Sequence, residues 1–262
     1  MNTKRIVPIF AAGMLIISTL ACNFGNTGST PTPGETEAVS PTEQSATAVP
    51  IHDAGTCQNP YLPVIVGASW NYNLTGQFPD TFTRSIISAE TNGFTDQDVF
   101  SKGITRQGKW TCDNGTLTAL DPSGTSANVN SNNISADFQT TSSSGVTLPA
   151  LIHSGDTWKQ SATLEGIEHI AGQDIPAKNE FSNTCTASGV ESITVAAGTF
   201  DAMRVDCQTT TNITITMAGN AIPTSLSFTA TSWYAENIGL IKTVTSGSNL
   251  DSTIELQSYN IP

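Results

Sequence analysis

Three groups of side chains in this 262-residue chain are of types that could do chemistry: five cysteines, three histidines and a scattering of carboxylates. The cysteines are Cys22, Cys57, Cys112, Cys185 and Cys207. His153 and His169 stand near Glu165 and Glu168 in sequence, a set that could bind a metal or relay protons. Its spacing matches no metal or acid–base motif, so local hydrogen bonding or solvation is the better reading. His52 falls in a polar tract. Asp96 and Asp98 in "FTDQDVF" alternate as calcium-ligating oxygens do, but neither the glycine nor the distant glutamate of a calcium loop follows. A polar turn is the expectation there. Gly-x-Ser-x-Gly, Ser-x-x-Lys, His-Glu-x-x-His and glycine-rich phosphate loops do not occur. The sequence therefore predicts no catalytic residue, no metal site and no cofactor. Asp156, Glu165 and Glu168 would serve a hydrolase only if two of them met in one cleft about 5–10 Å apart.

Cys22 sits at a border. Lys4 and Arg5 give the chain a positive start, and Ile6 to Ala21 form an uncharged apolar segment of signal-peptide length. The segment ends in Ser18-Thr19-Leu20-Ala21-Cys22, small residues followed by a thiol. This resembles the bacterial lipobox, in which the cysteine takes a diacylglyceryl group and becomes the new N-terminus. Thr19 stands where that motif prefers Leu. The resemblance implies a lipoprotein signal peptide over residues 1–21 and lipidation of Cys22; ordinary secretion with a free thiol is the alternative. Counting supports lipidation. Without Cys22, four cysteines remain, the even number that disulfides require in an exported chain.

Residues 22–56 are rich in Thr, Ser, Pro, Gly and Glu. They bury too little apolar surface to offset chain entropy and read as a disordered tether spanning about 30 Å. Charged residues make up 12% of the chain, hydrophobic residues 37%, and the formal net charge is −12. That balance argues against a nucleic-acid partner, since phosphate neutralisation needs Lys and Arg. It leaves residues 57–262 as a single domain with enough apolar surface for a core.

The elements of that domain read as strands. In "MRVDCQTTTNITITM", Met203, Val205, Cys207, Ile213, Ile215 and Met217 share one parity, while Arg204, Asp206, Gln208, Asn212 and Thr214 share the other. A strand of this length must twist and bend, which favours a curved sheet or open barrel over a flat sandwich. Phe181 to Val195 precedes it with matching parity, joined through "AAGTF". A hairpin there, with a bulge near Ser188-Gly189, brings Cys185 to Cys207 and leaves Cys57 for Cys112, one of three possible pairings. Further strands are expected at Ser69–Leu74, Thr81–Ala89, Val99–Thr105, Gly108–Asp113, Leu117–Leu120, Asp156–Leu164, Leu226–Tyr234, Ile238–Val244 and Ser252–Tyr259. Turns are expected at Asp113-Asn114-Gly115, Asp121 to Gly124 and Ser246 to Ser248. Ser123 to Ser144 reads as strand edges or a mobile loop. "GASWNYNLTG" and "GDTWKQSATLEG" share an opening pattern, read as two strands that each bury a tryptophan or as duplicated halves. Trp110 is expected to pack on the Cys112 disulfide. The fold class is thus all-β, mostly antiparallel, behind a signal peptide and tether.

"VAAGTFDAMRV" and "WYAENIGLIK" resemble the P-A-G-T-F-x-A hairpin and W-Y-A-x-x-V-G-L-V-K run of a broad group of bacterial exported proteins and lipoproteins. Ala196 and Ile238 depart from that pattern. The resemblance implies a β-rich fold distantly similar to lipoprotein-carrier open barrels and carries no catalytic residues. Gly198 would make the hairpin, Trp233 and Tyr234 would face opposite sides, and Gly239 would admit a close neighbour. Three functions follow in order. The first is a lipoprotein held on the extracytoplasmic face of a membrane through Cys22, binding an apolar ligand or an envelope partner. The second is a structural or adhesive module with a filled core. The third is the carboxylate hydrolase.

Overall fold

The computed structural model describes residues 57–120, 128–130 and 134–262. Cys22, the leader, the tether, His52 and the Asp121–Gly124 turn lie outside them. The described residues are almost wholly antiparallel strand and include no α-helix. In chain order the strands are β1 (Ser69–Gly76), β2 (Asp80–Glu90), β3 (Gly93–Phe100), β4 (Thr105–Asp113), β5 (Thr116–Ala119), β6 (Asn128–Asn130) and β7 (Ile134–Gly145). There follow β8 (Thr157–Ile170), β9 (Gln173–Val195), β10 (Gly198–Met217), β11 (Asn220–Ala235), β12 (Gly239–Ser246) and β13 (Ser252–Asn260). Neighbours run β3-β2-β1-β13-β12-β11-β10-β9-β8-β7-β6-β4, and β4 also pairs with β3. The sheet is therefore a nearly closed, barrel-like ring of twelve strands, with β5 as an extra strand on β4.

β5 fills the seam between β4 and the end of β7. Leu117 exchanges two backbone hydrogen bonds with Leu148, at 2.9 and 3.0 Å. Buried Gln160 on β8 donates to the Ala119 carbonyl at 2.7 Å and accepts from Thr147 Oγ1 at 2.8 Å. These bonds satisfy polar groups that the seam would otherwise bury unpaired.

The β9–β10 hairpin forms through a two-residue link, Ala196-Ala197, between paired Val195 and Gly198. Its register slips at Arg204/Val205, where Ser188 is the extra residue. This bulge puts Cys207 opposite Cys185, and the two are bonded with their Cα atoms 4.1 Å apart. Asp206 holds the bulge, accepting from Ser188 Oγ and Thr231 Oγ1 at 2.7 Å each and from Arg204 at 3.0 Å. The Cys57–Cys112 disulfide spans 55 residues and sits inside the core.

The remaining expectations meet the structure unevenly. Val99–Thr105 is not one strand: residues 101–104 turn between β3 and β4. Asp96 and Asp98 are not in a polar turn but inside β3. Within the Ser123 to Ser144 stretch, the residues from Ile134 onward belong to strand β7. Trp110 stacks on Phe94, with ring centroids 5.2 Å apart and planes at 10°. Gly239 has φ +106°, and a Cβ there would meet its neighbours at an ordinary 3.7 Å, so backbone conformation rather than crowding selects glycine.

The core gathers at one end of the ring. It contains the Cys57–Cys112 bridge, Trp70, Tyr72, Ile86, Phe94, Trp110, Leu117, Ile241 and Leu256, all buried. The 57–68 segment reaches into this end: Tyr61, Val64 and Ala68 are buried there, and Trp70 Nε1 donates to the Ile238 carbonyl at 2.7 Å. The β9–β10 link reaches β13 at the same end, where Ala197 N donates to Leu256 O and Phe200 packs edge-on against Tyr259.

Candidate functional site

Alternation in β2 and β3 puts charges on the inner face. Phe82, Arg84 and Ile86 share the inward parity of β2, and Phe94, Asp96, Asp98 and Phe100 that of β3. Register sets Arg84 opposite Asp98 and Asp98 opposite Arg106. Arg84 grips Asp98 with two bonds, Nε–Oδ1 at 2.8 Å and Nη2–Oδ2 at 2.9 Å, and Arg106 Nη2 adds a third at 3.0 Å. Asp96 is 3.8 Å from Arg84.

This ionic layer lies between two apolar ones. On one side Tyr72, Phe82 and Phe100 stack at 5.0 and 4.9 Å, and Arg106 covers Phe100 at 4.5 Å. On the other are Ile86 and the Phe94–Trp110 pair. Asp98 is 2% exposed and Asp96 3%. Burial opposes ionisation of Asp98, yet Arg84 and then Arg106 hold it below the usual carboxylate range. Asp96 has the weaker partner, and burial pushes it up to about 6. A carboxylate with three bonds to two guanidiniums has little capacity left for substrate. The arrangement reads as a structural clasp across β2, β3 and β4.

The second site is on the inner face of β7–β10. Ala136, Leu164, Ile175, Ala177, Phe181 and Ile213 are buried there, between 1% and 9% exposed, and none belongs to the core. Their inward parity continues on β11 as half-buried Ile222, Leu226 and Phe228. Two Ala-Gly turns, at 171–172 and 218–219, close the free ends of β8–β9 and β10–β11. All four residues have φ between 49° and 78°, as a hairpin of the right twist requires. Between these ends lies an open depression of about 370 Å³ lined by Gln173, Asp174, Ile175, Thr216, Met217 and Ala218.

Glu168 stands on this apolar face. It is opposite Ile175 on β9 and Ala136 on β7, and only 6% exposed. Its Oε2 has no hydrogen-bond partner among the described residues. Burial pushes its carboxyl up to about 7. Asn179, four residues beyond Ile175 and opposite Leu164 and Ile213, has a buried Oδ1 that is likewise unpartnered.

The sequence-derived candidates do not converge. His153 pairs with Asp156 at 3.2 Å in an exposed turn before β8. His169 pairs with Asp174 at 2.7 Å at the far end of the same strand. Glu165 is exposed and opposite Lys178, whereas Glu168 points inward. No group of three metal-ligating side chains forms among the described residues. The carboxylates Asp156, Glu165 and Glu168 share no cleft. Arg84, Arg106 and Asn179 escaped the sequence reading. Their signal was there: a polar or charged residue on the dry parity of a strand marks either a partner across the ladder or a site.

The chain belongs to the DUF3108-like family, whose model matches residues 89–260. No curated protein matches it. Among solved structures it is similar to a candidate lipoprotein from Parabacteroides distasonis, with TM-score 0.51 and 17% identity over 77% of this chain and 99% of that one. It is also similar to a candidate exported protein with a YmcC-like fold from Bacteroides fragilis, with TM-score 0.47 and 13% identity over 78% and 100%. The hypothetical lipoprotein YmcC from Escherichia coli matches with TM-score 0.35 and 11% identity over 77% and 90%.

Proposed function

We propose that the chain is an exported lipoprotein, held at the extracytoplasmic face of a cell membrane by a lipid on Cys22. Its β domain binds an apolar chain without transforming it. The observation that carries the binding reading is the second apolar region. Leu164, Ile175, Phe181 and Ile213 are not needed to fill the core end, yet they share the inner face that leads, past Asn179 and Thr211, to half-buried Leu226 and Phe228. A strip of this kind matches a long aliphatic group by shape and by the hydrophobic effect. The border at Cys22 and the candidate lipoprotein from P. distasonis support the anchoring part.

Two measurements test the reading. Intact mass of the native chain should show processing at Cys22 with an acyl adduct, and Cys22→Ser should abolish the adduct. Native mass spectrometry of the full lipidated chain, ejected from nanodiscs, should show a bound single-chain amphiphile beyond the covalent lipid. A chain that stays empty with every amphiphile offered ends the binding reading. The second reading is a structural envelope module, favoured by the burial of Trp70, Leu117, Ile241 and Leu256 at the core end and of Leu164 on the strip, each at most 1% exposed.

A further inference from the structure

Two buried acceptors on the apolar strip have no donor. Glu168 Oε2 is at the end of the strip near the open depression, and Asn179 Oδ1 is further along the same face. Buried polar atoms in folded proteins are almost always hydrogen-bonded, and an orphan costs as much as a lost bond. Two orphans among Ile175, Leu164 and Ile213 call for an external partner, and both lack the same thing, an N–H or O–H. We propose that the inner strip takes a single-chain amphiphile whose head group carries hydrogen-bond donors, a long-chain amine or alcohol, with Glu168 receiving the head. This rests on the binding reading above and specifies its ligand.

The placement fits that chemistry. Glu168 is opposite Ile175, which lines the depression between the Ala-Gly turns, so a head group can enter from the open end while its chain runs toward Phe181. Above neutral pH, where Glu168 is ionised, a carboxylate head would meet it as a like charge and the site would reject it, so the head groups are compared there. The charges nearest in register do not compete for Glu168. His169 is paired with Asp174, and Arg106, on the same cross-strand line beyond β6 and β7, is held by Asp98.

The test offers hexadecylamine, hexadecanol and hexadecanoate at equal concentration to the full lipidated chain in nanodiscs and reads each adduct by native mass spectrometry. The wild-type chain should favour the amine and the alcohol over the acid by about tenfold, the worth of one charge-assisted hydrogen bond. Glu168→Gln, which keeps the shape and removes the charge, should erase the preference for the amine and admit the acid. Asn179→Leu should weaken the advantage of the amine and the alcohol while leaving the acid unchanged. If wild type and Glu168→Gln bind all three heads alike, the head-group assignment is overturned and the strip remains a binding site, its orphan acceptors being served by water. If none of the three binds, the binding reading itself fails and this assignment goes with it. Circular dichroism melting of both variants guards against unfolding, and Glu168→Gln should melt no lower than wild type.

Discussion

At the scale of single residues, the inner face holds two kinds of buried charge with opposite consequences. Asp98 is bonded to Arg84 and Arg106, so removing it takes three hydrogen bonds from two guanidiniums inside the ring and leaves Arg84 only the weaker Asp96 at 3.8 Å. Asp98→Ala should therefore lower stability by about 3–5 kcal/mol, read from the urea midpoint at neutral pH. A loss below ~1 kcal/mol would mean that water already solvates the clasp. Glu168 has no such partner, and its carboxyl is raised to about 7 from an ordinary 4.5. A raised carboxyl in the folded state means that folding favours the protonated form. Its stabilising share is complete below the ordinary value and is lost as pH rises through about 7. Glu168→Gln should match wild type in mild acid and exceed it above neutral pH by roughly 1–2 kcal/mol, after allowing for partial solvent screening. Equal stability of the two proteins at every pH would show that the carboxylate is solvated. The two residues also mark the limit of what could be read from the sequence. Parity puts Asp96, Asp98 and Glu168 among dry positions, but only register tells that Arg84 faces Asp98 while apolar Ile175 and Ala136 face Glu168.

At the scale of elements, the long strands β9 and β10 were legible because their alternation survives over many residues, and the bulge at Ser188 could be placed because two cysteines had to meet. β3 is hard to read because Asp96 and Asp98 occupy its dry parity, which makes a strand look like a turn. β7 is hard to read because Ser, Thr and Gln fill it on both faces after Phe138, and the alternation of Ile134, Ala136 and Phe138 is too short to mark a strand. β11 shows a different device. β12 pairs with its Thr229–Ala235 part, and among the described residues no strand pairs with Asn220–Phe228 on that edge. Met217 and Asn220 flank a two-residue turn as a hydrogen-bonded pair, and from there Ala221, Pro223, Ser225 and Ser227 turn their backbone groups to that edge. Pro223 has no N–H to offer, and Ser248 Oγ occupies Ser227, accepting from its N–H at 2.9 Å and donating to its carbonyl at 2.7 Å. The edge is thus closed to an added strand at two of its four outward positions. Pro223→Thr should open it and produce concentration-dependent self-association in sedimentation velocity, with the fold unchanged. If the variant sediments as wild type does over the accessible concentration range, the proline has no protective role.

At the scale of the whole molecule, the two disulfides act over different spans. Cys185–Cys207 joins adjacent strands already held by a long ladder, and its sequence separation is 22. Cys57–Cys112 has a separation of 55 and fastens the start of the domain to β4, across the ring's β3–β4 closure. The chain-entropy argument assigns about 3 kcal/mol to the shorter loop and about 4 kcal/mol to the longer one. Topology widens that difference. Without Cys57–Cys112, the 57–68 segment keeps Asn59's bonds to Gly115 and Pro149, the Asn237-to-Pro60 bond and its peptide link into β1, but its N-terminal end loses the covalent link to β4. That segment brings Tyr61, Val64 and Ala68 into the filled end, and the proposed tether pulls on it directly. Replacing Cys57 and Cys112 by Ala should therefore lower the urea midpoint more than replacing Cys185 and Cys207, and should expose Trp70 and Trp110 to a quencher before the rest of the domain unfolds. An equal loss from the two double replacements, with tryptophan exposure coinciding with global unfolding, would mean that the 57–68 segment is held by packing alone and that tension on the tether passes straight into the ring.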